Sequence, residues 1–367
     1  MSVLIRRAPR ERNSIIGWFP NELLMGVMRY SSQLDLVALS RTSRLCYDIA
    51  MRLLYHTVTL STGTQIESWL RTMESTEHPT LSLVLCDHVR RFTITNLDVE
   101  WEPNRFLNTI QTLKNLSSQT VEALISILAQ LHHLEFLELT DGIEFTDTLL
   151  DCLYFKTLFE FEYRAADSQI SSLLPSFLNQ HPTITHLSLV NYNGPLQQWD
   201  TIHLPNLTKY MGPNFLIPLF TSESIRMLTE ACLGANRSSD DLDIEAALLR
   251  LATMPALHRL VIVHDMEDST LFRSVANHVP RIGILRFGKA KGFLIQMSSE
   301  DTHEIAVGLE KFDRLSNLSF VGVYNGKGLE CDDRPTIELW SRACKSLSSI
   351  GLHYNWWDQS EGHWERM

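Results

Sequence analysis

No run in this chain of 367 residues approaches eighteen consecutive apolar residues, so nothing in it reads as a membrane span. The first residues, MSVLIRRAPRERN, lack the apolar core of a secretory signal and read as a solvated basic arm over residues 1–17. Basic residues are the scarcer charge, with 32 Lys and Arg against 43 Asp and Glu. The resulting net charge of −11 argues against a general nucleic-acid binder, which would carry a basic footprint. Cysteine is sparse too. The six, at 46, 86, 152, 232, 331 and 344, form no CxxC and suggest neither a disulfide framework nor a zinc site. Reduced, mostly buried thiols in a cytoplasmic or nuclear protein fit this usage.

Signatures of chemistry are equally thin. There is no GxSxG elbow. The stretch from Gly322 to Gly328 has three residues between its first two glycines and no hydroxyl after Lys327, so it reads as a turn rather than a phosphate loop. His132 and His133 are adjacent and diverge on most backbones, with no second pair to complete a metal site. Asp240–Asp241 and Asp332–Asp333 precede helical stretches, where the helix dipole favours them. We therefore expect no catalytic residue, no cofactor and no metal, and a protein that is not an enzyme.

What the chain does hold is apolar pattern, 44% hydrophobic against 20% charged, enough for one large domain and a small one. Residues 18–60 read as three short helices. Pro20 or Asn21 opens the first, where Leu23, Leu24, Val27 and Met28 form a stripe. Ser31 or Ser32 caps a second helix with Leu34, Leu36, Val37 and Leu39. A residue from Ser40 to Ser43 caps a third, with Leu45, Ile49 and Leu53 at i, i+4, i+8. Helices this short cannot stand alone in water and must share a core.

The order Phe19-Pro20-x-Glu22-Leu23-Leu24, Val27-Met28, Asp35-Leu36, Leu39-Ser40, Ser43-Arg44 and Leu53-Leu54-Tyr55 resembles the F-box in the form common in fungal proteins. Phe19 stands for the usual Leu, and Val27-Met28 for the usual Ile-Phe. The resemblance implies docking on the Skp adaptor and, through it, a cullin scaffold of an SCF ubiquitin ligase. It points to Phe19, Pro20, Leu23, Leu24, Val27, Met28 and Leu36 as adaptor-binding positions.

Residues 61–88 read as a helix, Thr64–Met73, and a loop. From 89 to 353 a LxxLxL core recurs eight times, starting at Val89, Leu134, Leu158, Ile184, Leu257, Ile282, Leu315 and Leu347. Leu207 starts a weaker ninth and Ile225 a doubtful tenth. Steps of 23 to 33 residues alternate with two of 45 and 50, each long enough to hide a degenerate unit. Helical stretches lie between. This is the pattern of irregular leucine-rich repeats: an α/β solenoid with a curved parallel sheet, whose units bury their apolar faces by stacking.

Positions 1, 4 and 6 of each strand motif should point inward and positions 3, 5 and 7 outward. The outward set includes Arg91, Phe136, Glu138, Glu160, Glu162, Arg164, His186, Arg259 and Arg286, our candidates for a partner-binding strand face. Residues 354–367, with Trp356, Trp357 and Trp364, read as an aromatic cap on the last repeat or a tail, the second reading being exposed aromatics that bind a partner. The whole resembles the F-box/leucine-rich-repeat substrate receptors, which implies a non-catalytic subunit holding a protein substrate, with neither nucleic acid nor membrane as partner. The competing reading is an interaction scaffold outside any ligase.

Overall fold

A computed structural model describes residues 20–73, 85–94, 117–140, 146–164, 173–190, 199–234, 241–264, 268–289, 298–321, 333–352 and 355–367. The expected basic arm, Phe19, the Gly322–Gly328 turn and the region of a hidden unit after Ile94 lie outside them. The chain divides into two compact units, residues 1–138 with 155–158, and residues 139–154 with 159–367.

The first unit opens with three helices, α1 (Asn21–Met28), α2 (Gln33–Ser40) and α3 (Arg44–Leu54). Serines start two of them. Ser32 accepts from the Asp35 amide while the Asp35 carboxylate accepts from the Ser32 amide, a capping box; Ser43 accepts from the Cys46 amide. Met28, Leu36, Ile49 and Ala50 form the bundle's core, with Leu24, Met25, Leu39, Leu45, Leu53 and Leu54 packed round it.

The sheet begins sooner than the motif count implies. Strand β1 (Thr57–Leu60) pairs in parallel with β2 (Arg91–Ile94), setting Val58 beside Phe92 and Leu60 beside Ile94. Thus the strand at the end of the helical segment belongs to the sheet. The helix Gly63–Met73 lies within the same packing, its Trp69 ring 5.2 Å from that of Phe92. The sequence already reads His56–Leu60 as a strand with Val58 and Leu60 on one face; the pairing adds that this strand opens the sheet of the repeats. Strand β3 (Phe136–Thr140) follows the helix Ser118–Leu128.

In the second unit β4 (Glu160–Arg164), β5 (His186–Val190), β6 (Lys209–Pro213), β7 (Glu230–Gly234), β8 (Arg259–His264), β9 (Ile284–Lys289), β10 (Asn317–Val321) and β11 (Ser349–Leu352) pair in sequence order, all parallel. Every motif position 1, 4 and 6 of the eight clear repeats is buried. The inward side chains meet the helices: Phe161 lies 4.9 Å from Phe177, Phe287 stacks on Phe320 at 5.0 Å, and Phe320 lies 5.6 Å from Trp340. This is a leucine-rich-repeat-like arrangement.

Two details differ from expectation. The doubtful repeat starts at Leu228, not Ile225. Leu228, Ala231 and Leu233 are buried on β7, whereas Ile225 ends the short helix Ser222–Ile225. Leu207 to Leu228 and Leu228 to Leu257 are then steps of 21 and 29 residues, which resolves the long interval. Ala231 at a motif leucine position hid the unit. Secondly, the sheet ends in an antiparallel hairpin, β12 (Asn355–Ser360) and β13 (His363–Arg366), turned by Glu361 (φ 51°) and Gly362 (φ 84°). Only two residues separate β11 from β12, too few for the crossover that a parallel pair requires. Trp357 buries itself beside Ile350, so this segment covers the last repeat.

A hydroxyl ladder ties neighbouring repeats. Thr185, Thr208 and Thr229, each just after motif position 1, donate to the carbonyls of Phe159, Thr185 and Thr208 at 3.0 Å. Ser316 and Ser348 continue the pattern to Gly283 and Ser316 at 3.1 Å.

Candidate functional site

On the helical bundle, the core accounts for only one side of α1 and α2. Leu23 (57% exposed) and Val27 (65%) fall at i, i+4 on the other side of α1, Tyr30 is exposed in the turn after it, and Leu34 (83%) and Val37 fall at i, i+3 on α2. Pro20 is exposed at the start of α1. Of the residues that the resemblance marks for an adaptor, Pro20, Leu23 and Val27 are therefore on the surface and Leu24 is partly buried. Met28 (0%) and Leu36 (6%) are buried: with Ile49 and Ala50 they are the centre of the bundle core, enclosed by Leu24, Met25, Leu39, Leu45, Leu53 and Leu54. Tyr30, Leu34 and Val37 are exposed instead. The helical spacing of Leu34 and Val37 was visible in sequence, but one apolar helix face cannot be told from the opposite one without its neighbours.

In the second unit the outward strand positions fall into rows fixed by register. The position-3 row runs Glu160, His186, Lys209, Glu230, Arg259, and the position-5 row runs Glu162, Ser188, Met211, Cys232, Val261, Arg286. Together they line an open hollow of ≈ 420 Å³. The Glu230 carboxylate lies between Lys209 Nζ at 3.3 Å and the Arg259 guanidinium at 3.7 Å, all partly exposed. Arg164 holds Glu162 at 2.8 Å. Arg286 lies over the Trp356 ring at 5.4 Å, so the terminal hairpin positions this guanidinium.

The strand-face candidates thus separate. Glu160, Glu162, His186, Arg259 and Arg286 are brought together, with Arg164 beside them. Arg91, Phe136 and Glu138 belong to the first unit. There the Arg91 guanidinium lies 3.7 Å from the Phe136 ring centre, and Phe136 and Glu138 are buried rather than presented. An outward direction does not guarantee exposure, because side chains on strands about 4.8 Å apart cover one another. Lys209, Met211, Glu230 and Cys232 are site residues that the sequence reading left out, since both their strands carry degenerate motifs.

Burial pushes the Cys232 thiol up, with nearby Arg259 opposing the shift, which disfavours the thiolate and makes it a slow nucleophile. Burial likewise holds Tyr210, beneath the hollow, well above the usual phenol range. Among the described residues no group of three His, Cys, Asp or Glu side chains is placed to hold a metal ion, and no helix is long and apolar enough to cross a membrane.

No family profile matches the chain, and no curated protein matches its sequence. Solved structures with a similar fold include Toll-like receptor 13 in complex with a single-stranded RNA (12% identity, TM-score 0.41, 74% of this chain and 36% of that one) and a Bacteroides fragilis protein (10% identity, TM-score 0.43, 82% of this chain and 74% of that one). This chain therefore spans about a third of the receptor chain. Likenesses this distant add nothing to the repeat geometry, which stands on strand register and burial.

Proposed function

We propose that this protein is a non-catalytic interaction receptor: the repeat face holds a protein partner, and the helical bundle docks on a Skp-type adaptor, placing the partner within an SCF-type ubiquitin ligase. The observation that carries the reading is the exposure of Leu23, Val27, Tyr30, Leu34 and Val37 on a bundle whose core is filled by other residues. So many large apolar side chains exposed on a bundle this small mark an interaction site. The F-box resemblance supplies the adaptor as its occupant. The mechanism is proximity, since a tethered partner presents its lysines at high effective concentration to a conjugating enzyme.

Co-purification with the Skp adaptor tests this. Wild type retains the adaptor, and a Leu23→Ala, Val27→Ala variant loses it while its circular dichroism and melting stay unchanged. Failure of the wild type to bind the adaptor leaves the second reading, an interaction scaffold outside the ligase, which the hollow on β4–β9 favours because that surface needs no adaptor.

A further inference from the structure

The position-5 row of the second unit has a direction. It begins at Glu162 on β4, passes Ser188, crosses Met211, Cys232 and Val261, and ends at Arg286 on β9, each residue in register with the next. All six are at least partly accessible. The centre of the row is apolar, since burial disfavours the charged form of the Cys232 thiol. The flanking row adds a like charge at each end, Glu160 on β4 beside Glu162 and Arg259 on β8 near Arg286, offset in part by Arg164 at the first end and Glu230 at the second. Both end charges are oriented, Glu162 by Arg164 at 2.8 Å and Arg286 by the Trp356 ring at 5.4 Å. Five strand spacings of about 4.8 Å make the row about 24 Å long. An extended segment of about seven residues, rising about 3.3 Å per residue, spans about 20 Å between its end Cα atoms; long end side chains reach the remaining distance, and alternate side chains point to one side.

We infer that this row binds an extended segment of another protein, laid across the strands, with a basic side chain over Glu162, two apolar side chains over Met211 and Val261, and a carboxylate at Arg286. The inference deepens the reading of the repeat face as the partner-binding surface and names the chemistry of the segment. The opposite end charges match one cation and one anion, so a uniformly charged polymer meets repulsion at one end. The segment supplies no backbone hydrogen bonds to the sheet; its affinity comes from the two charged ends and the apolar middle.

The test uses the full chain and three labelled peptides read by fluorescence anisotropy. One is Lys-Ser-Leu-Ser-Leu-Ser-Glu with blocked termini; the others carry Lys at both ends or Glu at both ends. Wild type binds the mixed peptide about tenfold more tightly than either single-sign peptide, the scale of one ion pair. Glu162→Lys moves the preference to the peptide with two Glu ends, and Arg286→Glu moves it to the peptide with two Lys ends. An unfolded variant cannot produce these opposite shifts. Equal affinity for all three peptides, no saturable binding of any, or displacement of the mixed peptide by single-stranded RNA at equal concentration overturns the inference. No adaptor is present in this assay. A negative result here beside a positive adaptor co-purification therefore removes the segment chemistry and leaves the receptor reading intact, and the reverse outcome does the opposite.

Discussion

The Tyr210 hydroxyl occupies the space that a side chain on Gly212 would fill: an added Cβ there would sit 2.6 Å from Tyr210 Oη and 3.2 Å from Leu189 Cβ. The same hydroxyl donates to the Pro213 carbonyl at 2.8 Å, which fixes the ring under the hollow. A motif position that elsewhere holds Leu, Ile, Phe or Tyr is thus filled by the aromatic side chain of its neighbour. Gly212→Ala must displace that ring or lose its hydrogen bond, and is expected to cost about 1–3 kcal/mol in urea denaturation. Gly234→Ala, where an added Cβ meets only Gly212 O at 3.9 Å, is the near-neutral comparison.

The bundle offers a test of its two faces. Met28→Ala removes a fully buried side chain and is expected to destabilise the first unit by about 2–5 kcal/mol. Val27→Ala, one residue away and exposed, is expected to stay within about 0.5 kcal/mol. Thermal melts of the two variants check this, and equal losses would contradict the packing described for α1.

Stability should fall on acidification. His181 is buried, its Nδ1–H donates to the Phe177 carbonyl at 2.7 Å, and burial lowers its pKa against the smaller raising effect of that bond. Partly buried His88 is lowered as well, by burial first; His56 shifts the same way but is exposed, so solvent screens its contribution. For a lowered histidine the unfolded chain binds more protons, so stability is intact above the unfolded value near 6.5 and declines as pH falls through it toward the folded value. Urea midpoints between pH 8 and 5 should follow this course. His181→Asn should be less stable at pH 8 yet have a shallower slope, the remaining slope coming chiefly from His88.

Thiol labelling separates the cysteines. Cys152 is exposed, whereas Cys232 lies partly covered in the hollow with its pKa raised by burial. In iodoacetamide at pH 7.5, mass spectrometry should find Cys152 modified first and Cys232 markedly later. Arg259→Ala removes the neighbour that lowers the Cys232 pKa, and should slow Cys232 further.

The hydroxyl ladder is worth measuring at its centre. Thr208→Val deletes the bond to the Thr185 carbonyl, which keeps the amides of Thr208 and Lys209 as donors. The expected cost is therefore about 0.5–1.5 kcal/mol, with Thr208→Ser nearly neutral. A larger loss in the valine variant would mean that the ladder acts cooperatively.

Sequence by itself determined the repeats wherever the motif leucines, valines and aromatics stand intact, because a period-2 strand flanked by a period-3.6 helix writes its inward face directly into residue order. It also determined the three helices through the capping residues at Ser31–Ser32 and within Ser40–Ser43, of which the structure uses Ser32 and Ser43, and through the Leu45–Ile49–Leu53 spacing. Tertiary structure decided the rest. It assigned β1 to the sheet through pairing with Arg91–Ile94, since hydrogen bonds between segments 34 residues apart leave no local period. It placed Leu228 rather than Ile225 at the head of the hidden unit. It set Met28 and Leu36 inside the bundle and Tyr30, Leu34 and Val37 outside, because α1 and α2 each carry apolar residues on more than one face and only packing against α3 distinguishes them. And it brought Glu162 and Arg286, 124 residues apart, to the two ends of one row. That row depends on which strands pair in which register, a property that no single strand carries.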